Sequence, residues 1–440
     1  VSAASAVRAV AARAPELLRE RSFRRYWTGQ TVSQLGDQVT FLVLPLSEVL
    51  ILHADAAQMG WLSMAAVLPA LLFSLVAGAW VDGRGRRRQV MIAADLARAV
   101  LMASVPLAYA FGRLTMVQLY AVAFAVGTLG VVFAVSNAAL FVSLVAPEQY
   151  VEGKSLTNGS SAFSFMAGPS VGGLLVQVLA APFALLVDAV SYVVSALLLG
   201  RITPAEPPAA RRGKGQLLVG LRYLARSRSL RALLLAAATV NFFNYIFHAL
   251  VLLYAVRQLG LNAGTLGVVL GAGAIGGVLG AVFAGRLVRV LGVGRTVLLG
   301  YFGFPAPLVL VPLAGGPKVV ILAAFFAAEF LSGVGVMLLD IASGSLQAAL
   351  TPNALRSRIS GAWQTVNYGM RPLGALTGGL LGSTLGLRPT LWLATVGGVL
   401  CVLWLLPSPV PRMHALPPKA QDPVTDPDPS PAPAAVPAGP

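Results

Sequence analysis

The sequence predicts an all-α membrane protein, with twelve transmembrane helices arranged as two six-helix bundles that repeat in parallel. Three observations carry that expectation. The 440 residues are 57% hydrophobic and only 11% charged, whereas a soluble globular protein carries about 25% charged residues. Apolar runs long enough to cross a bilayer, about 20 residues each, follow one another with short gaps. The second half of the chain then repeats the first. A net charge of +16 would suggest nucleic acid in a soluble protein. Here the arginines sit in the gaps between apolar runs, a distribution that orients a membrane protein, so no nucleic-acid partner is expected.

Residues 1–26 are basic and weakly amphipathic and hold no long apolar core of a cleavable signal, so the first span is expected to act as the insertion signal. The spans read 27–50, 58–81, 89–111, 114–144, 155–179 and 181–199. After a gap come 229–256, 264–288, 294–313, 317–347, 358–385 and 387–406. The first six form an N-terminal bundle, 27–199, and the last six a C-terminal bundle, 229–406. Between them, residues 200–228 are broken by proline and then basic, and their second part suits an amphipathic helix on the membrane surface. Residues 407–440 are rich in Pro, Ala and Asp, too polar to bury a core, and are expected to be disordered.

Orientation follows from counting cations. Of the 32 Lys and Arg, 26 lie in the N-terminal segment, the loops on its side and the tail. The opposite loops hold Arg113, Arg257, Lys318 and Arg388, and two more, Arg98 and Arg371, fall inside spans. The positive-inside rule makes both termini cytoplasmic in a multi-pass protein of the cytoplasmic membrane. One cysteine, Cys401, and three histidines offer no disulfide, metal cluster or cofactor site. A monomer in the lipid bilayer is expected.

The repeat has a constant offset of 207 over its first part: Ser22 faces Ser229, Asp37 faces Asn244, Gly60 faces Gly267 and Gly78 faces Gly285. Further on, the stretch from Leu144 resembles that from Leu350, with a two-residue slip. Two copies of six spans, both starting on one side, suit bundles that rock about a central cavity.

Two motifs stand out. The loop from Gly78 to Val90, GAWVDGRGRRRQV, resembles the pattern G-x-x-x-D-R-x-G-R-R-R/K between the second and third helices of the major facilitator superfamily. Gly78, Asp82, Gly85, Arg87 and Arg88 match, while Gly83 stands where the family has Arg. In the fifth span, Gly168, Pro169, Gly172 and Gly173 match the core of the family's antiporter motif, G-P-x-x-G-G. The stretches FRRYWTGQTVSQLGDQVT, IAADLARA and VDAVSYVVSALLL resemble the bacterial macrolide-efflux and siderophore-exporter branch. The resemblance covers residues 20–406 and implies the major facilitator fold, export and proton antiport. It also implies that Asp82 meets the interface between the halves and helps hold a gate. The family's helix-4 arginine is missing, because residues 114–144 contain neither Arg nor Lys; Asp37 or Asp188 would have to serve in its place.

A charge near the bilayer centre needs a reason, since it costs at least about 2.5 kcal/mol. Asp37 lies near mid-depth in the first span, beside Gln30, Gln34 and Gln38. It either exchanges protons or is bonded permanently to a neighbouring helix. Asp188 in the sixth span either bonds a nearby helix or carries a proton. Asp95 and Arg98 are three residues apart, so they share a helix face and can neutralise each other. Glu329 and Asp340 are eleven apart, about three turns, and so point the same way. Arg371, at mid-membrane, requires an anion: one of those two acids, or a group on the substrate. Asn137, Asn241, Asn244 and His248 are weaker polar candidates. The glycines and proline of the fifth span allow bending and close packing.

The expectation is a secondary transporter that exports a small amphipathic compound in exchange for protons. Its cavity would be lined by the first, fourth, seventh and tenth spans, with Phe41, Phe133, Phe242 and Phe325 beside the polar candidates. The alternative is a proton-coupled importer on the same fold. A membrane enzyme would require clustered acids or histidines on long loops, and the loops here are short and basic. No sensory domain suggests a receptor.

Overall fold

The computed structural model describes residues 16–203, 216–352 and 355–417. Twelve spanning helices appear close to the expected positions. The first six are α1 (Arg21–Ile51), α2 (Ala56–Arg84), α3 (Arg87–Ala110), α4 (Met116–Leu144), α5 (Tyr150–Val178) and α6 (Ala181–Gly200). The second six are α7 (Arg228–Arg257), α8 (Ala263–Leu291), α9 (Val293–Gly303), α10 (Lys318–Leu350), α11 (Arg356–Thr384) and α12 (Leu387–Val399). Ten of the twelve are long and apolar enough to cross a membrane by length and composition, α9 and α12 when taken with the turns that continue them to Leu313 and Trp404. The exceptions, α1 and α11, carry the intramembrane charges Asp37, Glu48 and Arg371, yet pack as full members of their bundles. Side chains such as Val100, Val190, Val282 and Leu380 point outward, as lipid-facing apolar groups do.

Local chemistry explains where the helices start and stop. Asp55 forms a capping box with Gln58 at the head of α2. Thr115, Ser227 and Asn262 each accept a backbone N–H at the starts of α4, α7 and α8. Gly85 ends α2 at φ +62°, a left-handed conformation that favours glycine and turns the chain into α3. After Gly303 the prolines 305 and 307 break α9. It continues as a 3-10 turn, Ala306–Val309, and a short helix, Leu310–Leu313. The Ser332 hydroxyl donates to the freed Phe304 carbonyl at 2.8 Å.

The helix pairings repeat as the sequence does. In the first half α1 packs on α5 and α6, and α4 on α2 and α3; in the second, α7 packs on α11 and α12, and α10 on α8 and α9. The halves meet through two related crossings, α2 on α11 and α5 on α8. Each is a glycine contact near the side opposite the Arg86–Arg88 loop. A Cβ on Gly60 would lie 2.7 Å from the Gly379 Cα, and one on Gly267 would lie 3.1 Å from the Gly173 Cα. Arg257 adds a bond to the His53 carbonyl at 2.6 Å, and Gln177 one to Asn262 at 3.1 Å. Toward the basic side the packing thins: a Cβ on Gly78, Gly159 or Gly361 would meet nothing within 4 Å. The halves are therefore clasped by close glycine contacts at the end opposite the basic loop.

Two flanking segments differ from expectation. The linker does form a helix, Gln216–Arg226, but it does not lie on the membrane surface alone. Its Leu224 is buried with Leu230, Ile359 and Ala362, against the start of α11. The first part of the Pro-rich tail is folded. Val410 is fully buried, and the Met413 and His414 carbonyls accept the Gly294 and Val293 N–H groups at 2.9 and 3.2 Å. Those N–H groups open α9 and have no partner within it, so the tail caps a helix that lacks a side-chain cap. Residues 1–15, 204–215 and 418–440 lie outside the described residues.

Candidate functional site

A cavity of about 370 Å³ lies between the halves, walled mainly by apolar side chains of α1, α2, α4 and α7. Asp37, Thr40, Phe41, Leu44 and Pro45 of α1 face Tyr245, His248 and Leu252 of α7 across it. The Phe41 ring lies 6.5 Å from the His248 ring. Tyr192 of α6 and Leu62 and Ala66 of α2 complete the wall near Asp37. The expected Phe133, Phe242 and Phe325 do not line it: Phe325 is buried in the core, Phe242 packs against that core and Phe243, and Phe133 packs on Arg98. No residue of α10 lines this cavity, and α2 and α6 take part instead.

Behind Asp37 lies a buried charged cluster. The Tyr192 hydroxyl donates to the Asp37 carboxylate at 2.5 Å. Arg98 bonds Asp95 directly and stands 3.9 Å from the other acid, Asp37. Its guanidinium lies over the rings of Tyr192 and Phe133, at 4.2 and 4.5 Å from their centroids. One turn beyond Asp37, the Thr40 hydroxyl donates to Asp188 at 2.5 Å, and the Ser191 hydroxyl to the same carboxylate at 3.0 Å. Asp95 and Asp188 are wholly buried, whereas 43% of the Asp37 side chain is exposed to the cavity. Three carboxyls thus share one guanidinium.

Sequence reasoning singled out all four charged members and paired Asp95 with Arg98, as found, but did not join Asp37 or Asp188 to that pair. The partners it missed, Thr40, Ser191 and Tyr192, had a signal: Asp37 and Thr40 are three apart, and Asp188, Ser191 and Tyr192 stand at i, i+3 and i+4, so each set shares a face.

The second half holds its charge differently. Arg371 of α11 makes no ion pair with Glu329 or Asp340; among the described residues, the ion pairs seen are those of Arg98. Its Nε donates instead to Asn241 at 3.3 Å, and its guanidinium lies over Tyr368 and Tyr245, at 4.6 and 5.4 Å. Asn241 in turn donates to Asn367 at 3.1 Å. The fixed α10–α11 ion pair is therefore absent. Glu329 is half-buried near Gly273 of α8, while Asp340 is exposed. Asn244, the repeat partner of Asp37, leaves its buried amide oxygen without a hydrogen bond.

The remaining candidates have structural places. Asn137 accepts from the Tyr26 hydroxyl at 2.7 Å, which ties α4 to α1. Gln34 accepts from Ser161 of α5 at 2.8 Å. In the helix-5 motif, Gly168 packs on Gln38 and Gly172 on Val39 of α1, while Pro169 and Gly173 meet Gly267 of α8. In the basic loop, Arg87 is buried, and Arg88 donates to the Ile202 and Gly200 carbonyls at the end of α6. Those bonds stay within the first half. The side chain of Asp82, expected at a gate, lies outside the described residues.

Comparison with known proteins agrees with this architecture. The chain is 30% identical over 225 residues to the multidrug efflux pump Tap of Mycobacterium tuberculosis, a match covering 47% of this chain and 51% of the pump. The chain thus spans about half the length of the curated relatives it matches. The fold resembles a bacterial homologue of the iron transporter ferroportin in its inward-facing state, with a TM-score of 0.72 at 19% identity, covering 89% of this chain and 99% of that one. It also resembles the nucleoside transporter NupG, with a TM-score of 0.70 at 12% identity, covering 87% and 98%. The likenesses to these two solved structures show the fold. The family model of the Major Facilitator Superfamily matches residues 26–374 and 234–436. With its two six-helix halves clasped about a central cavity, the chain belongs to the major facilitator superfamily.

Proposed function

We propose that this protein exports a small amphipathic compound across the cytoplasmic membrane, exchanging it for protons by alternating access. The observation that carries the reading is Asp37, exposed in an apolar cavity and joined through Tyr192 and Arg98 to a buried cluster that holds two further acids, Asp95 and Asp188. The partial match to an efflux pump supports the direction. By the positive-inside rule the clasped end faces away from the cytoplasm, so this arrangement takes up cargo from inside. The helix-4 arginine of the family is missing here, and Arg98 of α3 supplies a mid-membrane guanidinium beside the coupling acid instead.

Cargo and proton compete through the same wall. An apolar ring or chain fits between Phe41, His248 and Leu252, and a polar group reaches Asp37. Binding of cargo favours loss of the proton from the cluster, and a proton arriving from the other side favours release of cargo. Only this difference in affinity between states turns the cycle.

Everted membrane vesicles test the reading. With a proton gradient imposed and labelled amphipathic drugs or siderophores supplied, the wild type is expected to accumulate cargo and Asp37→Asn to lose the proton-driven part. Full proton-driven accumulation by Asp37→Asn would remove Asp37 as the coupling site. Accumulation confined to right-side-out vesicles would favour the importer alternative.

A further inference from the structure

α1 carries another acid that this scheme does not use. Glu48 stands eleven residues after Asp37, about three helical turns, so both lie along one face of α1. Phe41 and Leu44 of the cavity wall lie between them. Glu48 sits at the clasped end of the molecule. It is fully buried, and neither carboxyl oxygen has a hydrogen-bond partner.

Its surroundings offer no counter-charge. The titratable groups within electrostatic range are Asp55, which caps α2, and the Tyr120 phenol of α4. Asp55 is itself acidic, and the Tyr120 hydroxyl is directed to the Gln58 carbonyl. At this level α5 and the start of α6, residues 170–187, carry no charge. From α3 and the loop after it come Tyr109 and Arg113, neither of which bonds Glu48. The cation ending α7, Arg257, is committed to the His53 carbonyl across the halves. A carboxylate with neither hydrogen bond nor cation is too costly to hold as an anion. The clasped arrangement therefore holds Glu48 as the neutral acid.

We propose that Glu48 is a second proton-binding site, separate from Asp37, whose occupancy accompanies closure of this end. When the halves part there, water reaches the carboxyl, its O–H bond breaks, and the proton passes to water. On closing, the carboxylate takes a proton back from hydronium before it is buried. Acid on that side favours the closed end, and base favours the open one. The site stands whether or not Asp37 couples transport, because closure can be followed without cargo.

The test uses the full chain in lipid nanodiscs with Cys401→Ser. Spin labels are placed at Arg113→Cys and Lys318→Cys, exposed positions on the loop after α3 and at the first residue of α10, one in each half at this end. In otherwise unchanged protein, the population with a short inter-label distance is expected to fall as pH rises. Glu48→Gln is expected to keep the short distance throughout, and Glu48→Asp to titrate with a displaced midpoint. A Glu48→Gln protein that titrates like its parent, or a parent that does not respond to pH, would overturn the proposal. Should Glu48→Gln fail to fold, an unmoved midpoint in Glu48→Asp overturns it equally.

Discussion

In the first bundle the mid-membrane guanidinium of Arg98 sits among Asp37, Asp95 and Asp188. In the second, that of Arg371 rests against Asn241 and two tyrosine rings. The helix pairings around them are duplicated almost pair for pair. The contrast separates two kinds of inheritance. Helix packing depends on many small and apolar positions, so a duplicated frame survives much substitution. Buried charge depends on single residues, and one change, the Asn at position 244 opposite Asp37, removes a titratable group from the second copy. One half is left with three acids around its cation. The other holds a cation without a carboxylate partner.

The strongest way to break this comparison is to delete each cation. Arg98→Ala leaves three acids without a counter-charge, a loss of about 3–5 kcal/mol. It is expected to abolish monodisperse protein in size-exclusion chromatography. Arg371→Ala removes a cation that no acid depends on, so it should fold, with thermal unfolding close to that of the parent, while cargo accumulation falls. Equal collapse of both variants would show that the two sites are not different in kind.

Next in size is closure of the clasped end. Gly267→Leu puts a branched side chain where α8 meets Gly173 and Pro169 of α5, and overpacking of this sort costs about 1–3 kcal/mol. The label pair at Arg113→Cys and Lys318→Cys should then show the longer distance predominating. Gly60→Leu, at the related crossing of α2 and α11, should do the same. A response from only one of the pair would mean the repeat is not mechanically symmetric.

Tyr192→Phe keeps the ring under Arg98 and removes only the hydroxyl that serves Asp37. A hydrogen bond to a charged group is worth about 1.5–3 kcal/mol. The variant should therefore displace the pH profile of transport while changing cargo affinity little. A profile identical to the parent's would detach Tyr192 from the proton site. The smallest effect is expected of Asn241→Ala, which removes the amide between Arg371 and Asn367 at about 1 kcal/mol. It should weaken cargo binding by several-fold and leave the pH profile alone. A shifted profile would tie the second half to the proton.

Much of the fold was legible before any coordinates. The spans of α2, α4 and α6 fall within a few residues of those read from apolar runs. The repeat of Gly60 in Gly267 marks the two crossings that clasp the halves. The candidate site was legible only in part. Asp37, Asp95, Arg98 and Asp188 stood out because charges inside apolar runs are conspicuous. Their union did not, because it depends on how α1, α3 and α6 rotate against one another. Spacing of Glu329 and Asp340 along α10 suggested a common face for Arg371, but Arg371 meets α7 instead. Glu48 passed unnoticed because it lies near the end of a span, where a carboxylate is commonly solvated.

The sequence by itself determined the number of crossings, the gaps that carry the basic residues and the places where helices can touch backbone to backbone. Those properties are local: they depend on hydropathy, on cation counts between spans and on missing side chains. The tertiary structure alone decided which acids share Arg98, that Arg371 is held by an amide and two rings, that the tail caps α9, and that Glu48 is sealed without a partner. Those outcomes rest on distances between helices far apart in the chain, where electrostatic and hydrogen-bond energies change over a few ångströms.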